Sequence, residues 1–463
     1  MGNQVVTGSG SEMVLAFDRS SRNFSKIHLP SAWAALRLYF LLVAYEFALT
    51  FALLDYLSVQ FGYFHMGFDE GRWTTYVLIN LLSPLAALAA GTKLQNASQF
   101  VYATFMTFIG LPTPIFLVSY VVPTIFPYFY FCLFASYLLL AVSTRLHFKP
   151  IPNPVGTTGY VFALAAILFF FFVVFAYGMT QNFHIVSFAQ LYDVRYSDEA
   201  STEFVKRAAN MYIFSFGGFF VGLSVLYRKY FYAGLFLAVY AICYGLVQYK
   251  TAALAPLWII YLLVFFRFFN RDSTIKYYLA LTAPFWLAMI LYFLFPSGRT
   301  IQGGNLPVFA YLNLVLFRQY GVSPNALGLY YTFFKTHPHT YWSQMSGINL
   351  FLHYPYGDHT VAIEMQREYG LGNYNASFLS TEGIESYGYQ ALPLASAALA
   401  VIFVLLNTAA RGFPPIILAI MMVMPCLMLN ERPLGTSLLT GGIIILMFYL
   451  AWFPRKWLPR IDA

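Results

Sequence analysis

Runs of about 20 apolar residues recur along nearly the whole chain, and that spacing allows only a few folds. Backbone groups placed in hydrocarbon must be satisfied within the chain, so such runs fold as helices that cross a membrane. Twelve spans are expected: roughly 33–59, 73–91, 100–120, 121–144, 159–179, 208–226, 230–249, 252–269, 277–295, 389–409, 412–429 and 435–453. Composition agrees. The 463 residues are 60% hydrophobic, 20% aromatic and only 10% charged, against about 25% charged in a soluble domain. This excludes a soluble enzyme, a disordered chain and a disulfide scaffold. Cys132, Cys243 and Cys426 all lie in apolar stretches and read as small core residues.

The scarce charges orient the chain. With the N-terminus inside, the inner segments hold sixteen basic residues against four acidic ones, and the outer segments hold ten against twelve. Nearly every short inner loop is basic: Arg145/Lys149, Arg228/Lys229, Arg267/Arg271/Lys276 and Arg455/Lys456. The net charge of +8 is therefore a topology signal, and no single soluble face gathers it as nucleic-acid binding requires. The expected layout is a cytoplasmic tail (1–32), spans one to nine (33–295), a large outer loop (296–388), spans ten to twelve (389–453) and a cytoplasmic tail (454–463). No sequence repeat supports an inverted-repeat transporter.

Polar chemistry concentrates outside. In the long loop, Leu306 to Gln319 reads as a partly immersed helix, and Asn325 to Thr336 as an amphipathic one that starts at Pro324. A turn-rich stretch follows, holding His337, His339, Tyr341, Trp342, His353, Tyr354, Tyr356, Asp358 and His359. Then come a short helix with Glu364, Arg367 and Glu368, and a segment from Gly370 to Ser377. The loop closes with Glu382 and Glu385 just before span ten. Aromatic faces pack on sugar rings and settle at membrane interfaces, so a lobe of this kind suits a sugar carried on a lipid.

Three patterns carry a resemblance. Gly245-Leu-Val-Gln-Tyr-Lys250-Thr-Ala-Ala-Leu-Ala-Pro256 is a short outer turn bearing a cation. Phe317-Arg318-Gln-Tyr-Gly-Val-Ser-Pro324 leads into a helix with Tyr330 and Tyr331. Asn373-Tyr374-Asn375-Ala-Ser precedes Glu382-Gly383 and Ser386-Tyr-Gly388-Tyr. With these the chain resembles the bacterial O-antigen polymerases, the Wzy type, over about a third of its length. The resemblance implies an all-helical multi-pass protein of the bacterial inner membrane. It implies transfer of a growing glycan from undecaprenyl pyrophosphate to a lipid-linked acceptor, with inversion, without metal or other cofactor, at the periplasmic face. A chain-length regulator is a further partner it suggests.

Breaking a glycosyl–pyrophosphate bond needs cations on the leaving group and a base on the attacking hydroxyl. Arg318, Lys250, Arg299 and Arg367 are the expected pyrophosphate ligands, because guanidinium binds phosphate through two parallel hydrogen bonds. The structural alternatives are a snorkelling Arg318 and an Arg367–Glu364 ion pair. The candidate bases are Glu382, Glu385, His353 and His359, the last beside Asp358. Tyr330, Tyr354, Tyr356 and Tyr374 are the candidate sugar platforms. Asp69 and Glu70 in the first outer loop carry a rival reading, a glycosyltransferase using polyprenyl-phosphate sugars. An O-antigen ligase or a lipid-linked oligosaccharide flippase are further alternatives. At least one of Glu46 and Asp55, both in the first span, is expected to pair with a buried partner.

Overall fold

The computed structural model describes residues 32–149, 154–181, 183–186, 201–268, 274–300, 303, 305–345, 348–357, 359–371 and 376–458. All regular elements among the described residues are helical. Eight helices are long and apolar enough to cross a membrane, which fits a polytopic membrane protein. In chain order the first nine are α1 (Ala32–Gln60), α2 (Trp73–Ala89), α3 (Ala97–Tyr120), α4 (Phe126–Ser143), α5 (Gly156–Gln181), α6 (Glu203–Leu226), α7 (Tyr230–Val247), α8 (Lys250–Phe268) and α9 (Thr274–Leu294). The lobe follows, with α10 (Leu306–Leu312), a widened π-helical stretch (Asn313–Val322), α11 (Ser323–Phe333) and α12 (Val361–Tyr369). A second π-helical turn, Leu379–Ile384, precedes α13 (Leu392–Ala409), and the chain closes with α14 (Pro415–Glu431), α15 (Leu434–Leu438) and α16 (Ile443–Ala451).

α3 and α14 form the axis. The most apolar window of α3 is wholly buried, and every residue of α14 from Ile417 to Cys426 is buried. α4 and α13 pack together, α6 and α8 pack against α14, and α7 packs on α6 and α8. The turn between α3 and α4 is tight, with Val122 accepting from the Phe126 N–H at 3.0 Å.

The expected last span, 435–453, is not one helix. It breaks between α15 and α16, where Gly442 adopts φ +75°, a conformation glycine enters without steric cost. A Cβ at Gly441 would also sit 2.1 Å from the Met428 sulfur and 2.5 Å from the Ser437 carbonyl. The Gly441 carbonyl freed by the break is buried in the bundle and accepts from the Ser215 hydroxyl of α6.

Polar side chains tie the helix ends. Asn407 of α13 accepts from the Ser98 N–H at 2.9 Å and donates to the Thr144 and Leu146 carbonyls at 2.9 and 3.0 Å. Arg145 donates to the Ala89 carbonyl at the end of α2, and Arg455 to the Ala409 carbonyl at the end of α13. Arginines at this basic end thus cap helix C-termini, where orphan carbonyls and the dipole favour a cation. The lobe gathers at the opposite end.

Candidate functional site

Glu382 lies in the π-helical turn Leu379–Ile384 and is 3% exposed. One carboxylate oxygen accepts from the Leu434 N–H of α15 at 2.7 Å, and the other from the Thr381 hydroxyl. Burial pushes its pKa from the usual 4.5 to about 7, while these donors restrain the rise. Glu385, one turn on, is also buried; burial and the charge of Glu382 raise it further.

The turn is clamped by the segment 339–344. The Trp342 indole N–H donates to the Glu382 carbonyl at 3.0 Å. The Thr340 and Tyr341 N–H groups donate to the Glu385 and Ser386 carbonyls, at 2.9 and 3.0 Å. Tyr341 and Trp342 both have positive φ, 50° and 63°, a strained pair of the kind that persists only where surrounding contacts fix it. Glu382 lines a groove of about 420 Å³ together with Trp342, Met345, Leu394, Ala398 and Leu434. It opens beside the exposed Leu394 and Val401 of α13.

Tyr330 is buried on α11, and Tyr354 and Tyr356 are half-buried in the lobe. All three interact electrostatically with Glu385; with burial, that charge pushes Tyr354 up to about 12. Three of the expected sugar platforms thus lie within electrostatic reach of one carboxylate. Tyr374 and Asp358 lie outside the described residues.

The expected cations divide. Arg318 is exposed on the π-helical stretch, with its guanidinium 5.6 Å from the Phe317 ring centre. It acts on the half-buried Glu431 carboxylate at the end of α14, as does Arg432. Arg432 also lies 4.9 Å from the Phe214 ring centre and 5.8 Å from that of Tyr249, the neighbour of Lys250. Arg318 and Arg432 therefore lie within electrostatic reach of one carboxylate, and Arg432 also reaches Tyr249, the residue before Lys250. The Glu382–Leu434 hydrogen bond joins Glu431 to the buried carboxylates through the chain of residues 431–434.

Arg299 lies apart. It stacks 4.0 Å from the Tyr292 ring centre and donates to the Tyr292 carbonyl at 3.1 Å. The Tyr292 hydroxyl donates to Asp55, so this acid of the first span does have a partner. Arg367 is an exposed surface cation, 2.7 Å from Glu364 and 3.2 Å from the His359 ring nitrogen. His359 and His353 are both exposed and remote from the clamp contacts. In the first outer loop, Asp69 caps a turn by accepting from the Gly71 N–H at 3.0 Å, and Glu70 is exposed.

Glu431 and Arg432 were not among the residues singled out from the sequence, and Trp342 was named only as part of the aromatic stretch. The signal for the first two is an acid–base pair before Pro433, set between two apolar stretches. Among the described residues no group of three or more His, Cys, Asp or Glu could hold a metal ion. No protein-family model, curated protein or solved structure matches the chain.

Proposed function

We propose that the chain is a glycan polymerase of the bacterial inner membrane, joining lipid-linked oligosaccharide repeat units at the periplasmic face. The supporting observation is a buried carboxylate with its pKa raised to about 7 that lines an apolar groove and is linked through residues 431–434 to two arginines acting on one acid. In this reading α2, α8, α14 and the broken α15–α16 pair join the eight long helices to make twelve crossings. The termini are cytoplasmic and the lobe is periplasmic.

Arg318 and Arg432 hold the pyrophosphate of the glycan donor, with Lys250 adding charge. Bidentate guanidinium contacts stabilise the negative charge that grows on the leaving phosphate. Glu431, the carboxylate within electrostatic reach of both arginines, marks the neighbourhood in which a phosphate can sit. Glu382 accepts the proton of the acceptor sugar hydroxyl, whose oxygen attacks the anomeric carbon from the face opposite the phosphate. The C–O bond to phosphate breaks, its electrons leave with undecaprenyl pyrophosphate, and the configuration inverts. A base with a pKa of about 7 matches proton transfer at neutral pH. Tyr354 and Tyr356, each half-buried, offer ring faces to the sugars, whereas the expected platform Tyr330 is fully buried and is not open to a sugar. Arg299 and Arg367, bound to their own neighbours, take no part in this arrangement.

Glycan banding in a deletion strain complemented with Arg318→Ala tests the reading. The expected result is single repeat units at normal protein level. Wild-type chain lengths would sink the assignment of Arg318, and the loss of all transferred glycan would indicate a ligase instead.

A further inference from the structure

The middle of the bundle holds a carboxylate that the outer site does not use. Glu46 lies about 21 Å from each end of α1, at 1.5 Å per residue. It is fully buried, and neither carboxylate oxygen has a hydrogen-bond partner in the protein.

Its surroundings are polar but neutral. Thr50, one turn on, donates to the Glu46 carbonyl at 2.9 Å and is bonded to Asn80 of α2 at 3.0 Å. Ser83, also on α2, is 3.1 Å from the Tyr130 hydroxyl of α4. The Tyr137 hydroxyl of α4 and the Thr113 hydroxyl of α3 adjoin each other. The titratable groups coupled to the carboxylate are Tyr45, Tyr130 and Tyr137. Among the described residues, no Lys, Arg or His acts on it.

An ionised carboxylate without a partner is too costly at this depth. Nothing in its surroundings supplies the compensating charge, so that charge comes from outside the chain, and a single carboxylate matches a single positive charge. A metal ion needs several oxygens converging on it, whereas here no oxygen bonds to the carboxylate and the Thr50, Ser83 and Tyr130 hydroxyls are already engaged. A proton needs one oxygen.

We propose that Glu46 is an exchangeable proton-binding site in the middle of the membrane, built by α1 with the hydroxyl-bearing faces of α2, α3 and α4. The hydroxyls of Tyr130, Ser83, Thr113 and Tyr137 are the side chains that can relay the proton. The site stands whatever reaction the lobe carries out.

Infrared difference spectra of the protein in lipid vesicles, wild type minus Glu46→Gln at neutral pH, read this without any glycan substrate. The expected result is one carboxylic-acid carbonyl band found only in the wild type, which shifts on transfer to D2O. Glu382 and Glu385 cancel in the difference. Absence of the band overturns the proposal, and so does a band that ignores D2O, because that proton is then a fixed structural one. A band that disappears when choline chloride is replaced by sodium chloride assigns the site to a sodium ion and also overturns it. Glu46→Gln keeps the shape of the protonated acid. If it fails to fold, Glu46→Asp serves in its place: a band that moves supports Glu46 as its source, and an unmoved band overturns it.

Discussion

Glu382 makes folding stability depend on pH. Its pKa is higher in the folded protein, about 7 against 4.5, so the folded state binds the extra proton. The stability this group contributes is therefore complete below pH 4.5 and is lost as pH rises through about 7. The melting temperature in detergent should fall across that window. Glu382→Gln, which can still accept from Leu434, should flatten the fall and stabilise the protein at pH 8 by on the order of 1–3 kcal/mol. The part due to Glu385 should remain; an unchanged slope would assign the pH dependence elsewhere. A second expectation concerns the anion site. Arg318→Lys keeps the charge but loses the planar fork, so glycan chains should shorten, as they should in Arg432→Ala. Long chains in Arg432→Ala would confine the site to Arg318 and Lys250. Arg318 and Lys250 stood out in the sequence because each is a lone cation beside an apolar run. Arg432 did not, because beside Glu431 it looks like an ordinary solvated pair. Arg367 was misleading for the converse reason: nothing in sequence distinguishes a phosphate ligand from the partner of Glu364.

Helix ends carry much of the specificity at the next scale. Asn407 bonds one N–H and two carbonyls from two separate chain segments. Asn407→Leu removes the partner of the Ser98 N–H and of the Leu146 carbonyl, while Thr144 keeps Asn96, and should cost about 1–3 kcal/mol, read as a lower melting temperature. A near-neutral effect would mean that the helix ends rearrange. Most elements were legible, because a 20-residue apolar run has one solution in lipid. The break between α15 and α16 was not, since Gly441 and Gly442 sit in a stretch apolar enough to pass as one span. The π-helical turns were hidden too. Buried helices are apolar all round, so their sequences carry no periodic signal for a change of turn.

For the whole molecule, the distribution of charge is the part of the fold most visible in the sequence. It separates a basic end, where Arg145 and Arg455 cap helices, from the end that carries the lobe. Single cysteines placed at Tyr354 and at Lys229, in a chain lacking its native cysteines, should react with a membrane-impermeant maleimide from opposite sides. Labelling from the same side would remove the proposed topology. The assembly of the proposed site was not visible, because Glu382, Arg318 and Arg432 come from segments far apart in sequence and are linked through residues 431–434. Two of these three residues share one structural feature. Arg318 and Glu382 both sit in widened turns, which recur at functional sites. Such a turn stores one surplus residue while the helix on either side keeps its phase. Deleting Ser380 should let the turn relax to an ordinary α-helix with its flanks in register, swinging the side chains within it by about 100°. The protein should then remain monodisperse and melt near the wild-type temperature, yet make no long glycan. In such a chain, length itself becomes an experimental variable, and removing a single residue separates what the sequence spends on folding from what it keeps for aiming a carboxylate.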